Sequence, residues 1–185
     1  MESDISFRSD RSASDVAQLR RKLTGDMVLP GDPGYDEARK VWNGAVDKRP
    51  AMVIHCAHTD DVIEAVKFAR SGNHLVAVRS GGHNVAGLSV CDDGIVIDLS
   101  RMKQISIDPT RRVARAEAGL NLGEFDAATQ AHGLATTMGV NSDTGIAGLT
   151  LGGGFGKLGR KYGLVLDHNG ATVIAVNPLP EAGLM

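Results

Sequence analysis

Short apolar runs alternate with amphipathic segments in the middle of the chain, and this alternation predicts mixed α and β structure. Apolar runs at residues 51–55, 75–78 and 94–99 have the length and composition of strands. Between the first two, helical periodicity covers residues 59–72, with Thr59 as the expected N-cap and a glycine at the end. The apolar positions on its predicted buried face are Val62, Ala65, Val66 and Ala69. This order predicts a βαβ crossover.

The pattern then changes to that of antiparallel structure. Residues 104–107 and 112–118 alternate apolar and polar positions around a proline-containing turn, which predicts a hairpin. Asn121 followed three residues later by Glu124 is typical of a capping box, so a helix is expected to start there and end near Gly133.

Composition bounds the function classes. Apolar residues make up 42% and charged residues 23% of the 185 residues, which allows a packed core. The net charge of −2 argues against binding nucleic acid through its phosphates. The N-terminus lacks the apolar stretch of a secretory signal, and no apolar run approaches the roughly 20 residues of a membrane span. We therefore expect a cytoplasmic protein that contacts neither nucleic acid nor membrane.

Two segments are predicted along the chain. Residues 1–48 are polar, with short helices expected at 14–24 and 35–42. Residues 49–185 carry the α/β pattern and the glycine clusters, and we interpret them as one domain. The two cysteines, Cys56 and Cys91, are too few for a disulfide framework, so we expect thiols.

The first glycine cluster follows a predicted strand and reads Val78-Arg79-Ser80-Gly81-Gly82-His83-Asn84. Consecutive glycines can adopt positive φ and turn several backbone N–H groups toward one point. Such a nest binds phosphate oxygens, and Arg79 would add positive charge. The alternative from these residues alone is a tight turn that carries a surface histidine.

The second cluster, residues 139–156, has seven glycines in eighteen residues. Because each glycine disfavours a helix by about 0.5–1 kcal/mol relative to alanine, we expect no regular helix here. A flexible linker is the alternative, but linkers are polar, whereas this segment interleaves Val140, Ile146, Leu149, Leu151 and Phe155. A backbone that lies against a flat or anionic ligand explains the composition better.

Other motif matches fail on their context. Residues 154–159 satisfy G-x-G-x-x-G but lack a clear preceding strand and the following ribose-binding acid. Gly156-Lys157 is not a Walker A loop, because Leu158 stands where serine or threonine is required. His55-Cys56-Ala57-His58 has no second ligand pair at zinc-like spacing, so no metal is predicted.

Together, the two glycine clusters resemble the vanillyl-alcohol oxidase / p-cresol methylhydroxylase superfamily, and most closely the berberine-bridge-enzyme-like oxidases. The resemblance covers roughly residues 45–168 and includes Lys161-Tyr162-Gly163-Leu164. It implies an α+β fold, the p-cresol methylhydroxylase-type (PCMH-type) FAD-binding domain of two small α/β subdomains. It also implies FAD as cofactor and a covalent bond between His83 and the flavin 8α carbon.

The resemblance carries over to individual positions. Members with a second flavin bond have a cysteine where this chain has Asn141, so a single link through His83 is implied. The residues that we expect to contact FAD are Arg79, Ser80, Gly81, Gly82, His83, Asn84, Gly87, Gly139, Asn141, Ser142, Thr144, Gly145, Gly148, Gly152, Gly153, Gly154, Gly156 and Tyr162. We expect the two clusters to meet around one phosphate pair and one ring system.

The implied function is that of the FAD-binding part of an oxidoreductase. Hydride would pass to FAD from a small-molecule alcohol, sugar or secondary metabolite, and no catalytic base is identifiable in these residues. The chain is far shorter than the family's usual length, so we expect a fragment, a truncated product or a stand-alone module. The alternatives are a non-catalytic or partner-dependent flavin-binding module, and a remnant that no longer binds flavin.

Overall fold

The computed structural model describes residues 13–165, 173–175 and 177–178. The chain divides into two compact units, Met1–Arg101 and Met102–Met185. Each unit combines helices with strands, and each has its own buried apolar cluster. The predicted α+β fold of two small subdomains is confirmed. The predicted boundary at residue 48 stays a prediction.

The first unit is built on a four-stranded sheet. Its elements are α1 (Ala13–Lys22), β1 (Asp26–Val28), α2 (Tyr35–Ala38), β2 (Met52–His55), α3 (Thr59–Ser71), β3 (Val76–Arg79) and β4 (Ile95–Asp98). The strand order is β1-β2-β4-β3, in which β4 runs parallel to both β2 and β3, and β1 is antiparallel to β2. The predicted crossover therefore joins strands that are not neighbours, because β4 lies between them.

Helix α3 ends as predicted but begins differently. Gly72 is its C-cap, whereas His58 is its N-cap and Thr59 is its first helical residue. Its buried face also differs, because Val66 is 49% exposed and Phe68 is buried instead. The buried Asp61 accepts hydrogen bonds from the backbone N–H groups of Thr24 and Ala57, both at 2.8 Å, and so joins the segment just before β1 to the start of the helix.

The second unit begins with the predicted hairpin. Its elements are β5 (Ile105–Asp108), β6 (Val113–Ala116), α4 (Leu122–Gln130), β7 (Leu134–Ala135), α5 (Ile146–Leu151), α6 (Gly159–Tyr162), β8 (Val173–Ala175) and β9 (Asn177–Pro178). β5 and β6 pair antiparallel, and β6 also pairs with β8. The capping box is confirmed, because the Asn121 and Glu124 side chains each accept from the other's backbone N–H at 2.9 Å.

One expectation for the second unit was wrong. The glycine-rich segment contains a regular helix, α5, although it spans only six residues. Of the seven glycines, only Gly148 lies inside that helix, whereas Gly145 and Gly152 cap its two ends. The segment thus forms helix where its sequence is apolar and changes direction where glycines cluster. In the described part of the chain, no helix is long and apolar enough to cross a membrane.

Candidate functional site

Three polar side chains meet at one edge of the sheet in the first unit. β2 ends at His55, β4 at Asp98 and β3 at Arg79, and the register places Asp98 opposite both of the others. Because these strands are parallel, the three residues share the carboxyl edge of the sheet. Open sheets of this kind bind their ligands at that edge.

A buried ion pair lies at the centre of this edge. The Arg79 guanidinium donates to Asp98 Oδ2 from Nη2 at 2.5 Å and from Nε at 3.2 Å, and the two side chains are 8% and 3% exposed. Burial by itself raises the pKa of Asp98, but His55 and Arg79 outweigh it and hold that pKa well below its usual range. The carboxylate is therefore ionised, and it holds the Arg79 side chain in place.

Two further contacts complete this cluster. Arg79 Nη1 donates to the backbone carbonyl of Lys40 at 3.0 Å, and His55 Nδ1 lies 3.1 Å from Asp98 Oδ2. The guanidinium that the sequence suggested for a phosphate is thus engaged by protein groups. A phosphate contact through Arg79 stays a prediction, and the structure adds an anchoring role for this side chain.

The loop after β3 lines a cavity of about 630 Å³ in the first unit. Ser80, Gly81, Gly82 and His83 contribute one wall, and the strand-end residues His55, Arg79 and Asp98 contribute another. Gly82 is buried and has a φ of 69°, the left-handed conformation that the motif predicted. The volume lies within the range of about 300–1,000 Å³ that is typical of small-molecule and cofactor sites.

The His83 imidazole stacks on the indole of Trp42. The ring centroids are 5.5 Å apart and the planes are inclined by 23°. Trp42 lines the same cavity, and its backbone N–H donates to the Gly82 carbonyl at 3.1 Å. Trp42 and the preceding Val41 therefore belong to the site together with the histidine loop.

The other two predicted residues of the first motif lie in the turn after the cavity. Asn84 is exposed, and its side chain accepts from the Leu88 N–H at 3.0 Å. Gly87 is buried at a φ of 69°, and a Cβ there would lie 2.8 Å from the Val46 side chain. Both residues shape the turn, and their contact with a cofactor stays a prediction.

In the second unit, the glycine-rich segment is held through its backbone. The carbonyls of Ser142 and Thr144 accept from Gly123 and Leu122 at 2.8 and 2.9 Å, which joins the segment to the first turn of α4. The Asn141 carbonyl accepts from Thr144 N–H at 3.1 Å and closes a turn between these anchors. Asn141 and Ser142 remain exposed.

Glycines allow close packing at the end of this segment. A Cβ on Gly156 would lie 2.8 Å from the Gly139 carbonyl oxygen and 2.9 Å from that of Met138. Gly153 and Gly154 both adopt positive φ, 104° and 52°, so the chain reverses just before this contact. The backbone conformation here depends on the absence of side chains.

The same segment exposes apolar surface. Ile146 is buried and Leu149 packs against the core, whereas Val140, Leu151 and Phe155 are 62%, 76% and 74% exposed. A Cβ at Gly148 would have no neighbour within 4 Å, so open space lies above α5. Tyr162 ends α6 and is half-buried, with Lys161 Nζ 5.2 Å from its ring centroid. Large exposed apolar side chains favour a surface that is covered by a ligand or a partner.

Asp98, His55 and Trp42 were not predicted as site residues. The sequence contained a signal for Asp98 and His55, because each is a polar residue that ends an otherwise apolar strand. No comparable pattern marks Trp42. Within the described ranges, no group of three or more His, Cys, Asp or Glu side chains is placed to hold a metal ion.

The fold and the two glycine-rich regions define a class of protein. It is an α+β protein with a cavity of cofactor size in one unit and, in the other unit, a glycine-rich segment that leaves space beside its backbone. The cavity in the first unit has room for a cofactor, and Gly148 in the second unit leaves open space beside α5. The chain belongs to a known family with these properties, the FAD binding domain, whose profile matches residues 50–174.

Several curated relatives are named FAD-linked oxidoreductases. The chain is 38% identical over 148 residues to the FAD-linked oxidoreductase YgaK of Bacillus subtilis, covering 80% of this chain and 33% of YgaK. It is 37% identical over 153 residues to (R)-6-hydroxynicotine oxidase of Paenarthrobacter nicotinovorans, covering 82% and 33%. The solved structure of BBE-like 1 from Physcomitrella patens superposes with a TM-score of 0.77 at 28% identity, covering 88% and 37%.

These relatives confirm the predicted resemblance to FAD-linked oxidases. The chain spans about a third of the length of the curated relatives that it matches. It corresponds to their FAD-binding domain.

Proposed function

We propose that this chain is the flavin-holding part of an FAD-linked oxidoreductase in which one bond from His83 anchors the cofactor. The observation that carries the proposal is the position of His83, which lines a 630 Å³ cavity at the carboxyl edge of a parallel sheet. This edge is where open α/β sheets bind ligands, and the family match supplies the identity of the ligand.

The residues of the two regions have separate roles in this proposal. Backbone N–H groups at residues 80–83, with the Ser80 hydroxyl, bind the phosphates. The face around Gly148, with the exposed Leu151 and Phe155, lies against the ring system.

His83 acts as the nucleophile in the anchoring reaction. A histidine is usable because neutral imidazole is abundant near pH 7. One imidazole nitrogen bonds to the flavin 8α carbon. The proton of the imidazole N–H group and one proton of the 8α carbon leave. The electron pair of the broken C–H bond would stay on the flavin ring system, and dioxygen would take up that pair and two protons as hydrogen peroxide. When bound, FAD supplies the redox chemistry by accepting a hydride from a substrate C–H bond.

Intact mass of the denatured full chain tests the anchor. After incubation with FAD in air, the parent should carry an adduct of FAD mass, and His83→Ala should not. His132→Ala is the matched control, because His132 is exposed and lies in the other unit. An adduct that persists in His83→Ala, or a parent that holds flavin only until denaturation, contradicts the covalent link.

A second candidate is a flavin-binding module that acts only with a further domain or a partner chain. It is favoured by the coverage, since the chain aligns with only a third of each relative. Alcohols, sugars or secondary metabolites added anaerobically to the loaded chain separate the two candidates. Bleaching of the flavin absorption supports an enzyme, whereas a yellow protein that never bleaches supports the module. A preparation that stays colourless after incubation with FAD contradicts both.

A further inference from the structure

The chain contains a single tryptophan, and its ring lies on the proposed nucleophile. Trp42 is 61% exposed, so burial in the core does not explain its position. Its ring centroid is 5.5 Å from that of His83 at an angle of 23°, within the roughly 4.5–7 Å over which aromatic pairs attract each other. An exposed aromatic ring that covers a reactive side chain suggests a role in positioning it.

The backbone around Trp42 is fixed independently of the stack. The Trp42 N–H donates to the carbonyl of Gly82, the residue before His83, at 3.1 Å. Val41 and Val46, on either side, pack against the buried cluster of the first unit. The indole is therefore held on a rigid support, and only its side-chain torsions remain adjustable.

Further bonds join the same two stretches of chain, residues 40–48 and 79–90. Arg79 Nη1 donates to the Lys40 carbonyl at 3.0 Å, and Arg79 is itself held by the buried Asp98. Asn43 Nδ2 donates to the Val85 carbonyl at 2.8 Å. Lys48 Nζ donates to the carbonyls of Gly87 and Val90 at 3.0 and 3.2 Å. Residues 40–48 thus form a support along the whole histidine loop.

We propose that Trp42 is a positioning residue that holds the His83 imidazole in the orientation from which it bonds to the flavin. This inference rests on the proposed function of His83. A stacked ring limits the rotamers of an otherwise half-exposed histidine. The indole face also attracts the positive charge that the imidazole carries after its nitrogen attacks the carbon and before its N–H proton leaves.

A competing role for the stack predicts the opposite result. If Trp42 were a cover that must move away before FAD reaches His83, its removal would speed up bond formation. The sign of the rate change therefore decides between positioning and covering.

The rate of adduct formation at saturating FAD tests the inference with two variants of the full chain. Trp42→Leu keeps apolar bulk but loses the aromatic face, and we expect bonding to slow by roughly threefold to tenfold. Trp42→Phe restores a ring and should lie within about twofold of the parent. Ile63→Ala, an exposed apolar residue on α3, is the control and should leave the rate unchanged. A Trp42→Leu rate equal to or above that of the parent overturns the proposal.

Fluorescence tests the stack without any flavin. All tryptophan emission comes from Trp42, so it reports on the adjacent imidazole ring. We expect the emission spectrum of His83→Ala to differ from that of the parent, and the spectrum of His132→Ala to match it.

The rate of adduct formation and the Trp42 fluorescence test the two proposals independently. A His83→Ala spectrum identical to that of the parent overturns the proposed stack. If the two spectra differ but the parent forms no adduct, the function proposed for His83 is contradicted, while the stack itself is upheld by the emission.

Discussion

The two glycine clusters are stabilised in different ways. In the first unit, the loop after β3 is anchored by charged side chains, with Arg79 bound to a buried Asp98 and to the Lys40 carbonyl. In the second unit, residues 139–156 are held by backbone hydrogen bonds and by close contacts at glycines. One region depends on electrostatics, and the other depends on the absence of side-chain volume.

This difference predicts which perturbation each region tolerates. A buried ion pair is sensitive to loss of one partner and to protonation, but it tolerates small changes of volume nearby. A glycine packed against carbonyl oxygens is insensitive to pH but cannot accept even a methyl group. Four measurements test this contrast.

The largest effect is expected from Asp98→Ala. This change leaves the Arg79 guanidinium buried at 8% exposure without its carboxylate, which costs about 3–5 kcal/mol of unfolding free energy. Urea denaturation of the full chain measures the loss. Ser80→Ala, on the same loop, is the control and should cost far less. A loss below about 1 kcal/mol for Asp98→Ala would show that the ion pair does not anchor the loop.

The second measurement compares two glycines in the other region. Gly156→Ala places a methyl group 2.8 Å from the Gly139 carbonyl oxygen, so it should destabilise the protein by about 1–3 kcal/mol. Gly148→Ala lies in α5 with no neighbour within 4 Å, and we expect it to stabilise by about 0.5 kcal/mol. Equal effects for the two variants would contradict a packing role for Gly156.

The third measurement is the pH dependence of stability. The pKa of Asp98 is lower in the folded state than in the unfolded chain, where it is about 3.9. The ionised Asp98 carboxylate therefore contributes fully to the free energy of unfolding at pH values above that unfolded-state pKa. This contribution declines as the pH falls and is smaller by about 1 kcal/mol at pH 3. The difference in unfolding free energy between the parent and Asp98→Asn should become smaller as the pH falls from about 4 to about 3. The difference between the parent and Gly156→Ala should stay constant.

The smallest effect on stability is expected from Phe155→Ser. Because Phe155 is 74% exposed, its removal should change the unfolding free energy by less than about 0.5 kcal/mol. If its ring faces flavin as proposed, FAD affinity should nevertheless fall several-fold, which flavin fluorescence quenching measures. Ile63→Ala is again the control. Unchanged affinity would remove Phe155 from the proposed ring-binding face.

Local signals in the amino-acid order predicted most of the elements. The runs that became β2, β3 and β4 were placed to within about a residue, and the capping box at Asn121 was confirmed in both directions. These features depend on neighbours a few positions away, so they can be inferred without a fold. The short β1 was not predicted, because its three residues form a strand only through pairing with β2.

The site was predicted in part. The glycine clusters and His83 stand out because the two clusters occur together, about sixty residues apart, and the pair is far more specific than either cluster alone. Their family was therefore identifiable from the order of residues alone. The surroundings of His83 could not be identified from the sequence. Trp42 is forty-one positions away and contacts His83 only after residues 40–48 fold against residues 79–90.

Periodicity and capping residues thus predicted much of the local structure, and the resemblance carried by the two glycine clusters indicated the family and the position of the proposed nucleophile. Only the folded chain decided that β4 enters between β2 and β3, which brings Asp98 between His55 and Arg79. It also decided that the Arg79 guanidinium is bound by the Asp98 carboxylate. The physical reason is that pairing and burial of charges depend on distances through space, and the spacing of residues along the chain does not contain them.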